Sequence, residues 1–317
     1  MCSGNYSSSI RKNIEKREPY NSPYNSKFVN ELREFIPFLK EAKFYGGEPF
    51  LIKTYYDFWD SMLSLNPSIN ILIQTNATVL NERIKALLER GKFSINVSIE
   101  SMVKESYELI RKKASFEEVM SNIEYFIAYT KSKGTYFSLV ACPMQQNWKE
   151  IPHLIERCNE MGVPLGFNTV SNPIRCSLMT LSSEELKKIC NFLSAQNFSV
   201  NNKVEIFNKQ AYLELVSQVK LWLEQSEKRG YHINNSEEFF LVNRLEEYLS
   251  VSAVNKEEEY LLITSKLNSV VSSLQNKEGF DLTLFYWKLN QFDISDIVEN
   301  IKARTIEDLS GIAFTWM

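Results

Sequence analysis

Between residues 26 and 175, apolar positions alternate between a helical and a strand-like spacing. From Ser26 to Lys40, Phe28, Val29, Leu32, Phe35, Ile36 and Leu39 fall on one helical face. The strand Lys43-Phe44-Tyr45 runs into Gly46-Gly47. A second helix is predicted from Phe50 to Leu65, stopping at Asn66-Pro67 because proline disfavours helix in the residue before it. The apolar run Ile69 to Ile73, broken only by Asn70, ends at Gln74-Thr75-Asn76. Asn81 to Arg90 reads as a helix, with Gly91 where a left-handed closing residue belongs. The strand Phe93 to Ile99 ends at Glu100. Ser115 and Glu118 match a capping box for a helix running to about Lys133, before Gly134. The strand Tyr136 to Ala141, a helix from Asn147 to Met161 closed by Gly162, and the strand Pro164 to Thr169 complete the series.

Near-continuous apolar strands separated by helices predict a parallel sheet covered on both faces, because each crossover packs a helix on the sheet. A doubly wound sheet and a barrel both satisfy that spacing. After Pro173 the rhythm changes. Leu181 to Ala195, Asn208 to Lys228, Glu238 to Ser250 and Glu257 to Leu274 read as helices, and Leu282 to Trp287 as a candidate strand. The expected organisation is a β/α core over 1–175 and a mainly helical region over 176–317.

The chain has 317 residues, of which 44% are hydrophobic, so it can bury a substantial core. A net charge of -3, with acids and lysines interspersed, gives no basic surface for a nucleic-acid partner. No apolar run is long enough to cross a bilayer, so no membrane partner is expected. The polar start lacks the apolar segment of a secretory signal, which makes the cytoplasm the expected location. Five cysteines, Cys2, Cys142, Cys158, Cys176 and Cys190, are odd in number and irregularly spaced, unlike a disulfide framework.

Ligands of parallel β/α architectures bind at the carboxyl ends of the strands. Those ends are Gly46-Gly47-Glu48, Thr75-Asn76, Ser98-Ile99-Glu100, Cys142-Pro143 and Asn168-Thr169. They suit a polar, nucleoside-like ligand carrying an amine and hydroxyls. Paired glycines admit another group close to the backbone, where carbonyls accept from an ammonium. Gly46-Gly47-Glu48-Pro49 reads equally well as a tight strand-to-helix turn. Ser98 and Glu100, two apart, share a strand face and suit a ribose diol or simply a solvated strand end. Arg111 is a candidate carboxylate clamp, or else a surface arginine beside Lys112 and Lys113. His153 and His232 form no metal or hydrolase pattern, and Phe280, Phe285, Tyr286 and Trp287 read as core.

Phe44-Tyr45-Gly46-Gly47-Glu48-Pro49-Phe50 resembles the Gly-Gly-Glu-Pro motif of radical S-adenosylmethionine (radical SAM) enzymes. Thr75-Asn76 and Ser98-Ile99-Glu100 resemble the following strand ends of that superfamily, and Tyr107 to Arg111 the helix after its fourth strand. The resemblance implies a partial (β/α)6 TIM-like barrel, of which the five strands above are the second to sixth, with the first strand missing. It implies S-adenosylmethionine held by Gly46, Gly47, Glu48, Thr75, Asn76, Ser98, Glu100 and Arg111. It further implies a 4Fe–4S cluster on a Cys-x-x-x-Cys-x-x-Cys loop. Met1-Cys2-Ser3-Gly4 resembles the end of that loop, with Cys2 as the third metal-ligating cysteine and the first two expected ahead of Met1.

The implied activity is reductive cleavage of S-adenosylmethionine to a 5′-deoxyadenosyl radical that takes hydrogen from a small-molecule or peptide substrate. An external electron donor such as flavodoxin or ferredoxin is implied with it. The alternative is a catalytically inactive remnant that binds a ligand or partner. An unrelated nucleotide-binding protein is disfavoured, because no Gly-x-Gly-x-x-Gly or Walker sequence follows a predicted strand.

Overall fold

The computed structural model describes residues 12, 18, 24–170, 176–231, 236–252, 255–275, 277 and 280–314. They fall into two compact units, one within Met1–Leu178 and Glu185–Lys220, the other within Met179–Glu184 and Leu221–Met317.

In the first unit, α1 (Ser26–Leu32) gives way to a 3-10 turn at Ile36–Phe38 before β1 (Glu41–Phe44). The helix predicted to reach Lys40 ends early because Pro37 has no amide hydrogen for a helical bond. Pro49–Leu51 likewise forms a 3-10 turn ahead of α2 (Lys53–Leu65). The series continues with β2 (Asn70–Thr75), α3 (Glu82–Arg90), β3 (Phe93–Ser98), α4 (Lys104–Ile110) and α5 (Phe116–Lys133). It ends with β4 (Phe137–Ala141), α6 (Ile151–Met161), β5 (Leu165–Phe167), α7 (Ser183–Ser194) and the part of α8 (Lys203–Tyr231) up to Lys220, the rest of α8 belonging to the second unit.

The five strands are all parallel and lie in the order β1-β2-β3-β4-β5. A doubly wound sheet reverses direction at a switch point; this one never reverses. Monotonic order is the winding of a β/α barrel, and it decides between the two architectures that spacing left open.

The strands carry one apolar face and one polar face. Phe93, Ile95 and Val97 of β3 are fully buried, as are Ile71 and Ile73 of β2. Trp59 of α2 covers this face, its ring centroid 5.4 Å from Phe44 and 6.3 Å from Phe93. Burying such side chains contributes about 1.5–3 kcal/mol each. The alternate positions, Asn70 and Gln74 on β2, Ser94, Asn96 and Ser98 on β3, and Ser138 on β4, form a polar face. A strict period of two is present in Phe93 to Ser98, beneath what reads as a mostly apolar run.

Gly91 is also corrected: its backbone is extended (φ −131°), not left-handed. A Cβ there would stand 2.5 Å from the Phe93 ring and 2.7 Å from Leu63, so glycine is needed for close packing. Gly134 and Gly162 do close α5 and α6 in the left-handed conformation. Asn208 of α8, fully buried, accepts from the Leu165 amide at 2.7 Å and donates to the Val163 carbonyl at 3.0 Å. That docks α8 at the start of β5.

The second unit is a helical bundle of α9 (Ser236–Ser252), α10 (Lys256–Leu274), α11 (Leu282–Leu289), α12 (Ile294–Ala303) and α13 (Ile306–Phe314). Leu245, Leu267, Leu274, Phe285 and Val298 lie in its core. The candidate strand at Leu282 to Trp287 is helical. Asp281 caps it through the Leu284 amide at 2.8 Å, and Phe285 and Leu289 bury one turn apart. A short continuous apolar run fits a buried helix as well as a strand, and the cap decides. Lys266 Nζ donates to the carbonyls of Ile301 and Arg304 at 2.8 and 2.7 Å, placing a cation on the negative end of α12. Among the described residues, no helix is long and apolar enough to cross a membrane.

Candidate functional site

At the end of β1 the chain turns through Gly46 (φ +90°) and Gly47 (φ +57°), a region side chains rarely adopt. A Cβ at Gly46 would meet nothing within 4 Å, so the space beside this backbone is open. Glu48, only 8% exposed, turns its carboxylate toward the protein. Oε1 accepts from Thr75 Oγ1 at 2.8 Å and from the Phe50 amide at 3.2 Å; Oε2 accepts from the Asn76 amide at 2.8 Å. Burial pushes this carboxyl upward, against the pull of those hydrogen bonds. Glu48 thus buckles the end of β1 to the end of β2. Asn76 Oδ1 accepts from the Thr78 amide and hydroxyl at 2.9 and 2.6 Å. Asn122 of α5 donates to the carbonyl of Ala77, a non-glycine held at φ +57°, at 2.9 Å.

At the end of β3, Glu100 is 2% exposed in its side chain and pairs in fork fashion with Arg111, which follows α4. Arg111 Nε donates to Oε2 and Nη2 to Oε1, the latter at 2.6 Å. Arg111 keeps a quarter of its side chain exposed, and its Nη1 has no hydrogen-bond partner among the described residues. The pair accounts for both oxygens of Glu100, so the carboxylate orients the guanidinium. Glu48 is bonded to the end of β2 and Glu100 follows the end of β3, the adjacent strand, so the two clusters lie at neighbouring strand ends. The fully buried Tyr107 hydroxyl has no partner among the described residues, and burial pushes it up to about 12. Ser98 is half-buried and accepts from Gln74 Nε2 at 3.3 Å.

Sequence reasoning misses the role of Asn147, which it places at a helix start. Fully buried, Asn147 donates Nδ2 to the carbonyls of Glu100 (2.8 Å) and Cys142 (3.1 Å) and accepts from the Met144 amide at 2.7 Å. It staples the ends of β3 and β4. No local pattern signals such a contact. The alternation of Gln74 and Asn96 with buried residues is visible in the sequence.

Of the cysteines, Cys2 lies outside the described residues. Cys158, Cys176 and Cys190 are buried and Cys142 half-buried, all with free thiols. Burial raises the thiol of Cys142, and that of Cys158 to about 12. Among the described residues, no three His, Cys, Asp or Glu side chains are grouped to hold a metal. The described thiols therefore do not fit an iron–sulfur cluster, whereas the open glycine backbone and the Arg111 Nη1 fit a ligand bearing an ammonium and a carboxylate. His153 is exposed on α6, and His232 lies outside the described residues.

A family model of the Radical SAM superfamily matches residues 1–158. The probable GTP 3′,8-cyclase of Methanocella arvoryzae is 35% identical over 85 residues, 26% of this chain and 27% of that protein. The GTP 3′,8-cyclase of Aliarcobacter butzleri is 24% identical over 155 residues, 48% of this chain and 46% of that one. The chain thus spans about a quarter to a half of the length of these relatives. Among solved structures, native anSMEcpe with bound AdoMet is similar at 17% identity and a TM-score of 0.41, over 56% of this chain and 54% of that one.

Proposed function

The chain belongs to the radical SAM superfamily, and on that basis we propose that it binds S-adenosylmethionine on the rim at the carboxyl ends of β1 to β3. In this reading the Gly46 and Gly47 backbone receives the cofactor ammonium, and Arg111 Nη1 receives its carboxylate, the guanidinium being the group best shaped for it. Ser98 meets the ribose. Glu48, Thr75, Asn76 and Glu100 hold these groups in place. The observation that carries the reading is Arg111: locked by Glu100 on one edge, it keeps its other edge unpaired at the carboxyl end of β3, next to the β2 end that Glu48 holds.

In this superfamily a 4Fe–4S cluster, fed by an external donor such as flavodoxin or ferredoxin, supplies the electron that cleaves S-adenosylmethionine. The 5′-deoxyadenosyl radical so formed takes hydrogen from substrate. Cys2 is the residue that the motif assigns to that cluster; Cys142, Cys158, Cys176 and Cys190 are not grouped to hold one. The core over 1–175 carries the cofactor site, and 176–317 forms the mainly helical region. The substrate is a small molecule or peptide; GTP, named for the relatives, is the first to test.

Anaerobic reconstitution with iron and sulfide of the protein carrying the full Cys-x-x-x-Cys-x-x-Cys loop, followed by reductant and S-adenosylmethionine, is expected to yield 5′-deoxyadenosine. Calorimetry is expected to detect S-adenosylmethionine binding that weakens in Arg111→Met. Absence of both signals overturns the proposal. Binding without cleavage identifies the second reading, a retained ligand-binding module.

A further inference from the structure

The polar face of the sheet carries one row that the cofactor rim does not use. Gln74 pairs in register with Asn96, and Asn96 with Ser138, so the three stand side by side on β2, β3 and β4. At the usual spacing between strands the row is about 10 Å wide and lies about 7 Å, two residues, below the level of Ser98 and its neighbours. The flanking residues of these strands, Ile73, Ile95, Val97, Phe137 and Leu139, point the other way and are buried.

The row is fixed but not saturated. Ser138, 6% exposed, donates Oγ to Asn96 Oδ1 at 2.8 Å, which sets the orientation of the amide. Both hydrogens of Asn96 Nδ2 then have no partner among the described residues. Gln74 Nε2 donates to Ser98, leaving Gln74 Oε1 as an acceptor without a partner among them. The next row down is closed: Ser94 Oγ lies 3.4 Å from Asn70 Oδ1 and accepts from the Tyr136 amide at 3.3 Å. The unspent capacity is therefore a donor and an acceptor on adjacent strands, both half-buried.

Charge narrows the ligand. On this face β2, β3 and β4 carry Asn70, Leu72, Gln74, Ser94, Asn96, Ser98, Ser138 and Val140, none of them charged, while β1 beside them carries Glu41 and Lys43, which pair with each other at 3.1 Å. With those two charges spent on each other, the strand residues at the row offer a charged ligand no counter-charge, whereas an uncharged polar group needs only its hydrogen bonds matched. An amide side chain pairs best with a group that offers an acceptor next to a donor.

We propose that the Gln74–Asn96–Ser138 row recognises the substrate, and that it takes an uncharged group with a hydrogen-bond acceptor beside a donor, the pattern of a lactam edge or of the N–H and C=O of one extended peptide residue. The inference rests on the cofactor reading above only for calling that ligand a substrate. A nucleobase lactam carries this edge, and so does an extended peptide residue, whose own N–H and C=O point the same way; the experiment separates them.

The side-chain amide resonances of Asn96 and Gln74, identified by their loss in Asn96→Leu and Gln74→Leu, are followed by nuclear magnetic resonance in the 317-residue chain. Guanosine serves as the nucleobase probe and N-acetylglycine N-methylamide as the peptide probe. One probe is expected to shift both resonances, with its affinity about tenfold weaker in Asn96→Leu, equivalent to about 1.4 kcal/mol. Asn96→Asp, which keeps the shape and the Ser138 contact but removes both donors, is expected to weaken binding similarly and guards against misfolding of the leucine variant. The proposal is overturned if neither probe moves the two amides, or if both Asn96 variants bind like the parent. S-adenosylmethionine is titrated on the same sample through the Gly46 and Gly47 backbone amides. If those stay still while a probe moves Asn96, the row stands and the cofactor reading falls.

Discussion

Glu48 offers the sharpest check on how the rim is built, because its carboxylate holds three donors at the ends of two strands. Glu48→Ala leaves Thr75 Oγ1 and the amides of Phe50 and Asn76 without it. At about 1 kcal/mol for each bond lost in this half-sealed rim, the cost is about 3 kcal/mol. Glu48→Gln is more selective. With its oxygen toward the Asn76 amide, its Nε2 faces Thr75 Oγ1, which can turn to accept. Only the Phe50 amide is then orphaned, at a cost of about 1 kcal/mol. Urea denaturation of the first unit should rank parent, Gln and Ala in that order. Hydrogen exchange should show Phe50 deprotected in both variants and Asn76 only in the alanine. The pH dependence follows from the raised Glu48 carboxyl. A group raised in the folded state binds its proton more tightly there. The stability it adds is therefore full below the unfolded value of 4.5 and is lost as pH climbs through the folded value. The deficit of the Gln variant should be largest in acid and shrink toward neutrality. Equal loss of Asn76 protection in both variants, or a deficit that grows with pH, would refute this account of the buckle.

Two further predictions concern neighbouring positions. Arg111→Lys replaces a planar fork by a point charge and leaves part of the buried Glu100 carboxylate unpaired; it should cost about 2 kcal/mol in denaturant unfolding. Adding Glu100→Gln should recover stability without restoring S-adenosylmethionine binding, and recovery of both would show that Arg111 does not touch the ligand. Gly91→Ala should lower stability by about 1–3 kcal/mol through overpacking against Phe93 and Leu63. Pairing it with Phe93→Leu, which withdraws the ring, should return part of that loss in a thermal melt.

The helices and strands of the first unit are legible because their signals are local: Asn81, Ser115, Gly134 and Gly162 cap elements through bonds to residues a turn away. Winding is not legible, since strand order depends on which crossovers pack together and every parallel arrangement produces the same spacing. The rim residues stand out as strand ends, but their division of labour is hidden. Glu48 looks like a free charge beside a glycine turn, and only the three-dimensional approach of Thr75 and Asn76 turns it inward. Arg111 and Glu100, separated by ten intervening residues, read in the sequence as two separate ligand groups; the fold makes one the holder of the other. Asn147 is illegible for the same reason, as its partners Glu100 and Cys142 lie at the ends of two strands.

These contacts separate the site into groups that hold and groups that present. Glu48, Thr75, Glu100 and Asn147 direct their polar atoms toward other protein groups, so they define where the strand ends stand. Gly46, Arg111 Nη1, Asn96 Nδ2 and Gln74 Oε1 keep capacity in hand, and each is steadied by a neighbour or by the backbone turn itself. A half-buried donor is costly to leave unmatched and cheap to satisfy with a ligand that fits. Holding each presenter from behind lowers the ordering cost that a ligand must offset. That is why the polar face is more than a softened core: a second apolar face would have sealed the sheet, whereas a row of held but unsaturated amides keeps its interior selective.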